Sequence, residues 1–131
     1  MESSVPTSSS IDFLSIGHIC QDVVPGGFVV GGAAAYTAAV ATALGCRSAI
    51  VTSAAHQAEW SQELPGIAIH KSESRHSTIF ENIYTLAGRV QTVRAVANEL
   101  SAIHVPTAWA RAPMVYLGPI ANEVDPELIR R

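Results

Sequence analysis

Asp22 is the first residue of this chain whose type and position point to chemistry. It ends the segment GHICQD, just after an apolar run that reads as a strand. In open α/β sheets, ligands sit at the carboxyl ends of parallel strands. A carboxylate there accepts hydrogen bonds from two hydroxyls of a sugar or polyol. The alternative is a solvated turn residue capping the next segment. Gly31-Gly32 follows nine residues later and opens the run AAAYTAAVATALG. Glycines let a ligand approach the backbone closely, and the free amides at a helix start attract oxygen-rich groups. A tight turn into the helix would also need glycine. The Gly-x-Gly-x-x-Gly spacing of dinucleotide sites is absent, as are a Walker loop and a Gly-x-Ser-x-Gly elbow. The five histidines are scattered, and neither they nor the two cysteines have metal-site spacing. His18 reads as a satisfied structural histidine, and Cys20 as a small buried filler rather than a nucleophile.

The elements that must hold these residues follow from the pattern. IDFLSIGHI, residues 11–19, reads as a buried parallel strand. VVPGGFVV gives a short hairpin over Val23-Val24 and Phe28–Val30. An Ala-rich helix follows, capped by Gly45. Residues 46–54 form a second buried strand, 56–64 an amphipathic helix, 67–70 a short strand and 71–76 a polar loop. Thr78–Leu86 and Gln91–Ala97 form a hairpin around Ala87-Gly88-Arg89. Residues 107–112 make a helical turn and Met114–Leu117 a third buried strand. Asp125 caps a helix that starts Pro126-Glu127.

The 131 residues suffice for one domain or part of a larger one. The composition is 48% hydrophobic and 15% charged, so some apolar surface expects a partner or further chain. A net charge of −3 and the lack of any Lys/Arg run argue against nucleic-acid binding. The most apolar stretch, residues 28–44, is too short and too rich in Gly and Ala to span a membrane. Residues 1–10 are Ser-rich without a basic residue and read as a disordered leader, not a secretory signal. The low cysteine number fits a cytoplasmic setting.

The strand leading to Asp22, the Gly31-Gly32-Ala-Ala-Ala segment, the strand SAIVTSA and the hairpin STIFENIYTLAGRVQTVRAVA occur in an order that resembles the amino-terminal half of the ribokinase-like (PfkB) carbohydrate kinases. MVYLGPIANEVDPELI is similar to the strand and helix beyond that family's lid hairpin. The resemblance covers residues 12–129. It implies a three-layer α/β sandwich with a small β lid, truncated to its amino-terminal half: residues 11–131, with the lid hairpin at about 77–97.

The same resemblance implies ATP-dependent phosphorylation of a sugar or polyol hydroxyl by the complete protein, with ATP and Mg2+ as cofactors. Substrate contacts would come from Asp22, Gly31, Gly32, Tyr36 and Arg94. Ribokinases commonly carry Asn where this chain has Tyr36 and Cys20, so Tyr36 either replaces a polar contact or packs in the core. Arg94 either faces the acceptor, as an arginine does in members acting on acidic sugars, or is a solvated strand charge. Glu81 and Asn82 would support the lid.

The family's catalytic Asp and its Gly-rich anion hole are expected beyond Arg131, so this chain contributes neither a catalytic residue nor a cofactor or metal ligand of its own. Only about eight residues separate Asp22 from Gly31, so most of the lid is expected from residues 78–97. A homodimer through the lid is an open alternative to a monomer. Two other readings compete. One is a non-catalytic ligand-binding or interaction protein of ribokinase-like ancestry. The other, ranked lower, is a nucleoside kinase stacking adenine on Phe28 or Tyr36.

Overall fold

The computed structural model describes residues 10–130, so the leader reading of residues 1–10 falls, except for Ser10, outside the described residues. Two four-stranded sheets carry the architecture. The body sheet contains β1 (Phe13–Ile16), β4 (Ser48–Ala55), β5 (Ala68–Ser74) and β8 (Met114–Leu117), in the order β5-β4-β1-β8, all parallel. The lid sheet contains β2 (Cys20–Val24), β3 (Gly27–Gly31), β6 (Ile79–Thr85) and β7 (Gly88–Ala95), in the order β3-β2-β6-β7. Within it, β2 pairs antiparallel with β3 and parallel with β6.

The one α-helix among the described residues, α1 (Ala33–Ala43), covers one face of the body sheet. Its buried residues Ala34, Ala35, Ala38 and Ala41 form a stripe at helical spacing. Alanine favours the helix and is small enough to bring its axis close to β1 and β4. Ser15 Oγ lies 3.0 Å from Thr37 Oγ1 and ties the helix to β1. The helix ends in a Schellman arrangement: the Cys46 amide donates to Ala41 O and the Gly45 amide to Thr42 O. The opposite sheet face is closed by Leu100 and by short 3₁₀ turns at Ala102–His104, Trp109–Arg111 and Pro126–Arg130, through Val105, Trp109 and Leu128. The parallel body and the separate lid bear out the expected α/β fold with a β lid.

Four local expectations are corrected. The strand expected over residues 11–19 stops at Ile16, and the lid strand β2 starts only at Cys20. After Ile16 the chain leaves the body ladder because the His18 amide donates to Glu123 Oε2 (2.9 Å) and the Ile19 amide to Thr52 Oγ1 (2.9 Å). Residues 56–64 form turns, not a helix. The Lys71 ammonium takes the carbonyls of Ala55, His56 and Ala58, and Pro65 closes the segment. Residues 71–74, expected in a loop, continue β5. Strand β8 is not buried: it lies at the sheet edge, and Met114 and Val115 are 51% and 50% exposed. Asp125 does cap its turn, its carboxylate accepting from the Glu127 amide at 3.0 Å.

The lid is larger than the spacing implied. A two-residue turn, Pro25-Gly26, leaves five residues for each of β2 and β3, so this hairpin supplies half of the lid sheet.

Candidate functional site

The site is built where the chain passes from body to lid. Asp22 is not at the end of a body strand, as the sequence suggested, but in the middle of β2, paired with Val29 of β3 and Phe80 of β6. Side chains alternate along a strand, so Cys20, Asp22 and Val24 share one lid face with Gly31, Val29, Phe80, Asn82, Gln91 and Val93. Gln21, Val23, Phe28, Val30, Ile79 and Glu81 occupy the other.

On the first face, Asp22 lies directly over Gly31. A Cβ at Gly31 would stand 2.2 Å from Asp22 Oδ2, so a hydrogen is all that position admits beside the carboxylate. Gly32 holds φ at 105°, and a Cβ there would lie 2.6 Å from His18 O. The two glycines therefore serve separate purposes: Gly31 makes room for Asp22, and Gly32 makes the bend into α1. No side chain hydrogen-bonds to the helix start, which lies two residues beyond Gly31.

Cys20 stands at the base of the same face. Its thiol donates to Asp22 Oδ1 at 3.6 Å. Burial, with the Asp22 charge as the next cause, pushes the thiol up to about 12, so at neutral pH Cys20 is a protonated donor and not a nucleophile.

Beneath the lid lies a buried polar network. His18, fully buried, accepts from Thr78 Oγ1 at Nδ1 (2.7 Å) and donates from Nε2 to Asn98 O (2.7 Å). Thr78 Oγ1 in turn accepts from the Ala97 amide at 2.9 Å. The buried Glu123 carboxylate accepts from the amides of His18, Ile120 and Ala121. Thr78 and Ala97 flank the β6-β7 hairpin, so this network fixes the lid root to the loop after β1 and the loop after β8. His18 is thus structural. Sequence reasoning missed Glu123, although its place after a body strand was the signal used for Asp22. Its oxygens are already taken by three backbone amides.

The remaining expected residues stand apart from Asp22. Tyr36 is exposed, in a groove of about 450 Å³ between α1 and β8 with Phe13, Val40, Leu44, Met114 and Tyr116. Arg94 is the extra residue of a β-bulge opposite Ile79/Phe80, and its guanidinium pairs with the Glu81 carboxylate. Glu81 alternates with Phe80, which puts this pair on the lid face opposite Asp22. That second face borders a different cleft of about 350 Å³, lined by Gln21, Phe28, Val30, Trp60, Arg75 and His76.

Comparison with known proteins bears on the fold. No protein-family model and no curated protein matches the sequence. Among solved structures, a pyrophosphate-dependent kinase in the ribokinase family, complexed with a pyrophosphate analog and myo-inositol, superimposes with a TM-score of 0.71 at 21% identity. That match covers 90% of this chain and 44% of the kinase. The fold is that of the ribokinase family. An uncharacterized sugar kinase from Pyrococcus horikoshii in complex with ATP matches with a TM-score of 0.58 and 19% identity, over 80% of this chain and 42% of its own length. A microbiome-derived acarbose kinase matches with a TM-score of 0.58 and 21% identity, over 82% of this chain and 45% of its own. The chain thus spans less than half the length of the ribokinase-fold structures it matches. Among its described residues no helix is long and apolar enough to cross a membrane.

Proposed function

We propose that this chain is the acceptor-binding part of a kinase that transfers a phosphoryl group to a hydroxyl of a sugar or polyol. The observation that carries the reading is the Asp22 carboxylate seated over Gly31, beside the uncapped start of α1. A carboxylate accepts from two neighbouring hydroxyls, and open amides receive a third oxygen. The ribokinase fold gives this arrangement its context. The matched kinases are described with ATP in one case and a pyrophosphate analog in another, so the donor proposed for the whole protein is ATP or pyrophosphate.

Donor and Mg2+ fall to residues outside this chain. Among the described residues no three His, Cys, Asp or Glu side chains converge as a metal site. The carboxylate nearest the body strand ends, Glu123, is saturated by amides. The contribution proposed for this chain is to bind and orient the acceptor.

Titration of the 15N-labelled chain with myo-inositol tests the reading. Shifts are expected at the amides of Asp22, Gly31, Gly32 and Ala33. A spectrum unchanged at those amides up to 100 mM ligand, chosen as roughly the weakest binding worth assigning, would overturn it.

The second reading, a non-catalytic binding or interaction protein, is favoured by the apolar side chains exposed on the lid hairpin, Ile83, Tyr84, Val90 and Val93. Phosphoryl transfer by the full gene product, with ATP or pyrophosphate, separates the two. Turnover removes the second reading, and binding without turnover removes the first.

A further inference from the structure

The two edges of the lid sheet are built differently. At one edge, β7 carries Arg89, Arg94 and a bulge opposite Ile79/Phe80. Charges and bulges are the usual guards of an open strand edge. At the other edge, β3 has the sequence GFVVG, with no charge, no proline and no bulge. The turn at Pro25-Gly26 fixes which of its backbone groups are free. Val24 and Gly27 close that turn and exchange hydrogen bonds, and the alternation of an antiparallel ladder gives the same to Asp22 with Val29 and to Cys20 with Gly31. The Gln21 amide, donating to Thr78 O at 2.9 Å on the far side of β2, agrees with this alternation. The amides and carbonyls of Phe28 and Val30 therefore point away from β2, and none has a partner among the described residues. Phe28, Val29 and Val30 are consecutive and all line the cleft of about 350 Å³, so the cleft runs along this strand edge and receives the four free groups. Its opposite wall is the turn segment 55–63, with Trp60. The volume is at the low end of ligand cavities and suits one short extended segment, not the edge of a second sheet. Both signs of charge stand at the rim. Arg75 and Glu63 line the cleft, and neither is in an ion pair among the described residues. His76 adjoins Arg75, and the Glu59 carboxylate accepts from the Ser61 amide.

We propose that this cleft is a strand-addition site for an extended peptide segment of another polypeptide. Its middle residues are uncharged and β-branched, in register with Phe28 and Val30. An acidic residue at one end meets Arg75, and a basic residue at the other meets Glu63. The peptide backbone satisfies both free amides and both free carbonyls, which span about 7 Å of strand. Those backbone bonds give affinity, and the rim charges select the partner. β-Branched residues hold the segment extended before it binds. The inference is independent of the acceptor reading, which concerns the lid face of Asp22.

The test is titration of the 15N-labelled chain with the synthetic peptide acetyl-Lys-Val-Thr-Val-Glu-amide. Shifted resonances and slowed hydrogen exchange are expected at the amides of Phe28 and Val30. The same peptide with its three middle residues replaced by proline lacks the donors and should leave both amides unchanged. Val30→Pro removes one free donor of the edge and should weaken binding about tenfold. Glu63→Lys changes an exposed side chain, should weaken binding about threefold, and serves if Val30→Pro does not fold. No response at the two amides up to about 5 mM peptide overturns the proposal. So does an equal response to the proline peptide. Protection that rises with chain concentration alone, with a dimer in sedimentation, also overturns it and gives the edge to a second copy. The response of the Asp22 and Gly32 amides to myo-inositol is read in separate titrations, so either reading can fail while the other stands.

Discussion

The two sheets of this protein have the same number of strands and very different surroundings. Every residue of β4 in the body is buried, between α1 on one side and Leu100 and Trp109 on the other. In the lid, β7 is exposed along nearly its whole length, and Ile83, Tyr84, Val90 and Val93 stand in solvent. The body is held by apolar burial. The lid is held by its backbone ladders, by the buried side chain of Phe80 and by the polar root around His18 and Thr78. Segments with few buried contacts open locally at low cost, as an element that closes over a ligand must. The difference puts most of the stability in the body and makes the lid the more easily opened element.

Substitutions can break or sharpen that contrast. The largest expected effect is in the body. Ile50→Ala, at a fully buried central position, should cost about 2–5 kcal/mol of unfolding free energy. Ile83→Ala on the exposed lid should cost under about 1 kcal/mol. Urea unfolding of both variants checks this, and equal losses would remove the distinction. Next is the junction: Gly32→Ala combines a positive φ with a Cβ 2.6 Å from His18 O, and should cost about 2 kcal/mol or more. Gly31→Ala should instead leave stability closer to wild type and lose ligand binding, because the group displaced is the Asp22 side chain.

A smaller effect follows from Cys20. Its folded value, raised to about 12, exceeds the ordinary 9.0, so above pH 9 the unfolded chain releases a proton that the folded chain keeps. Stability should be unaffected by this group below pH 9 and fall between pH 9 and 12, by on the order of 1 kcal/mol at pH 10. Cys20→Ala should flatten that part of the profile in thermal melts from pH 8 to 10.5. An unchanged slope would place the thiol in a more polar setting. The smallest effect is expected for Arg94→Ala, under about 1 kcal/mol, since its pair with Glu81 lies on the exposed lid.

Much of the scaffold was legible before the coordinates. The Ala run flanked by Gly-Gly and Gly45 specified α1, and two turn signals specified two hairpins. The errors share a cause: long-range hydrogen bonds overrode local pattern. The run from Ile11 to Ile19 looks continuous, but Glu123 and Thr52 take the amides of His18 and Ile19, and the strand ends at Ile16. Residues 56–64 have helical amphipathicity, but the Lys71 ammonium claims the carbonyls a helix would use. Asp22 and the glycines were found as a group. Tyr36 and Arg94 were grouped with them by chain order, and the fold puts them in other places.

What the sequence determined by itself is local: which segments turn, which residues favour helix, and that a carboxylate precedes a Gly-Gly bend. What only the tertiary structure decided is which side chains share a face. Strand side chains alternate with a period of two, so a single bulged or shifted residue moves a side chain to the other side of the sheet. The pairings of Asp22 with Phe80 and of Asn82 with Gln91, with the bulge at Arg94, place Asn82 beside Asp22 and Arg94 behind it. Neither pairing is encoded in the few residues around these positions, because each depends on strands brought together from distant parts of the chain.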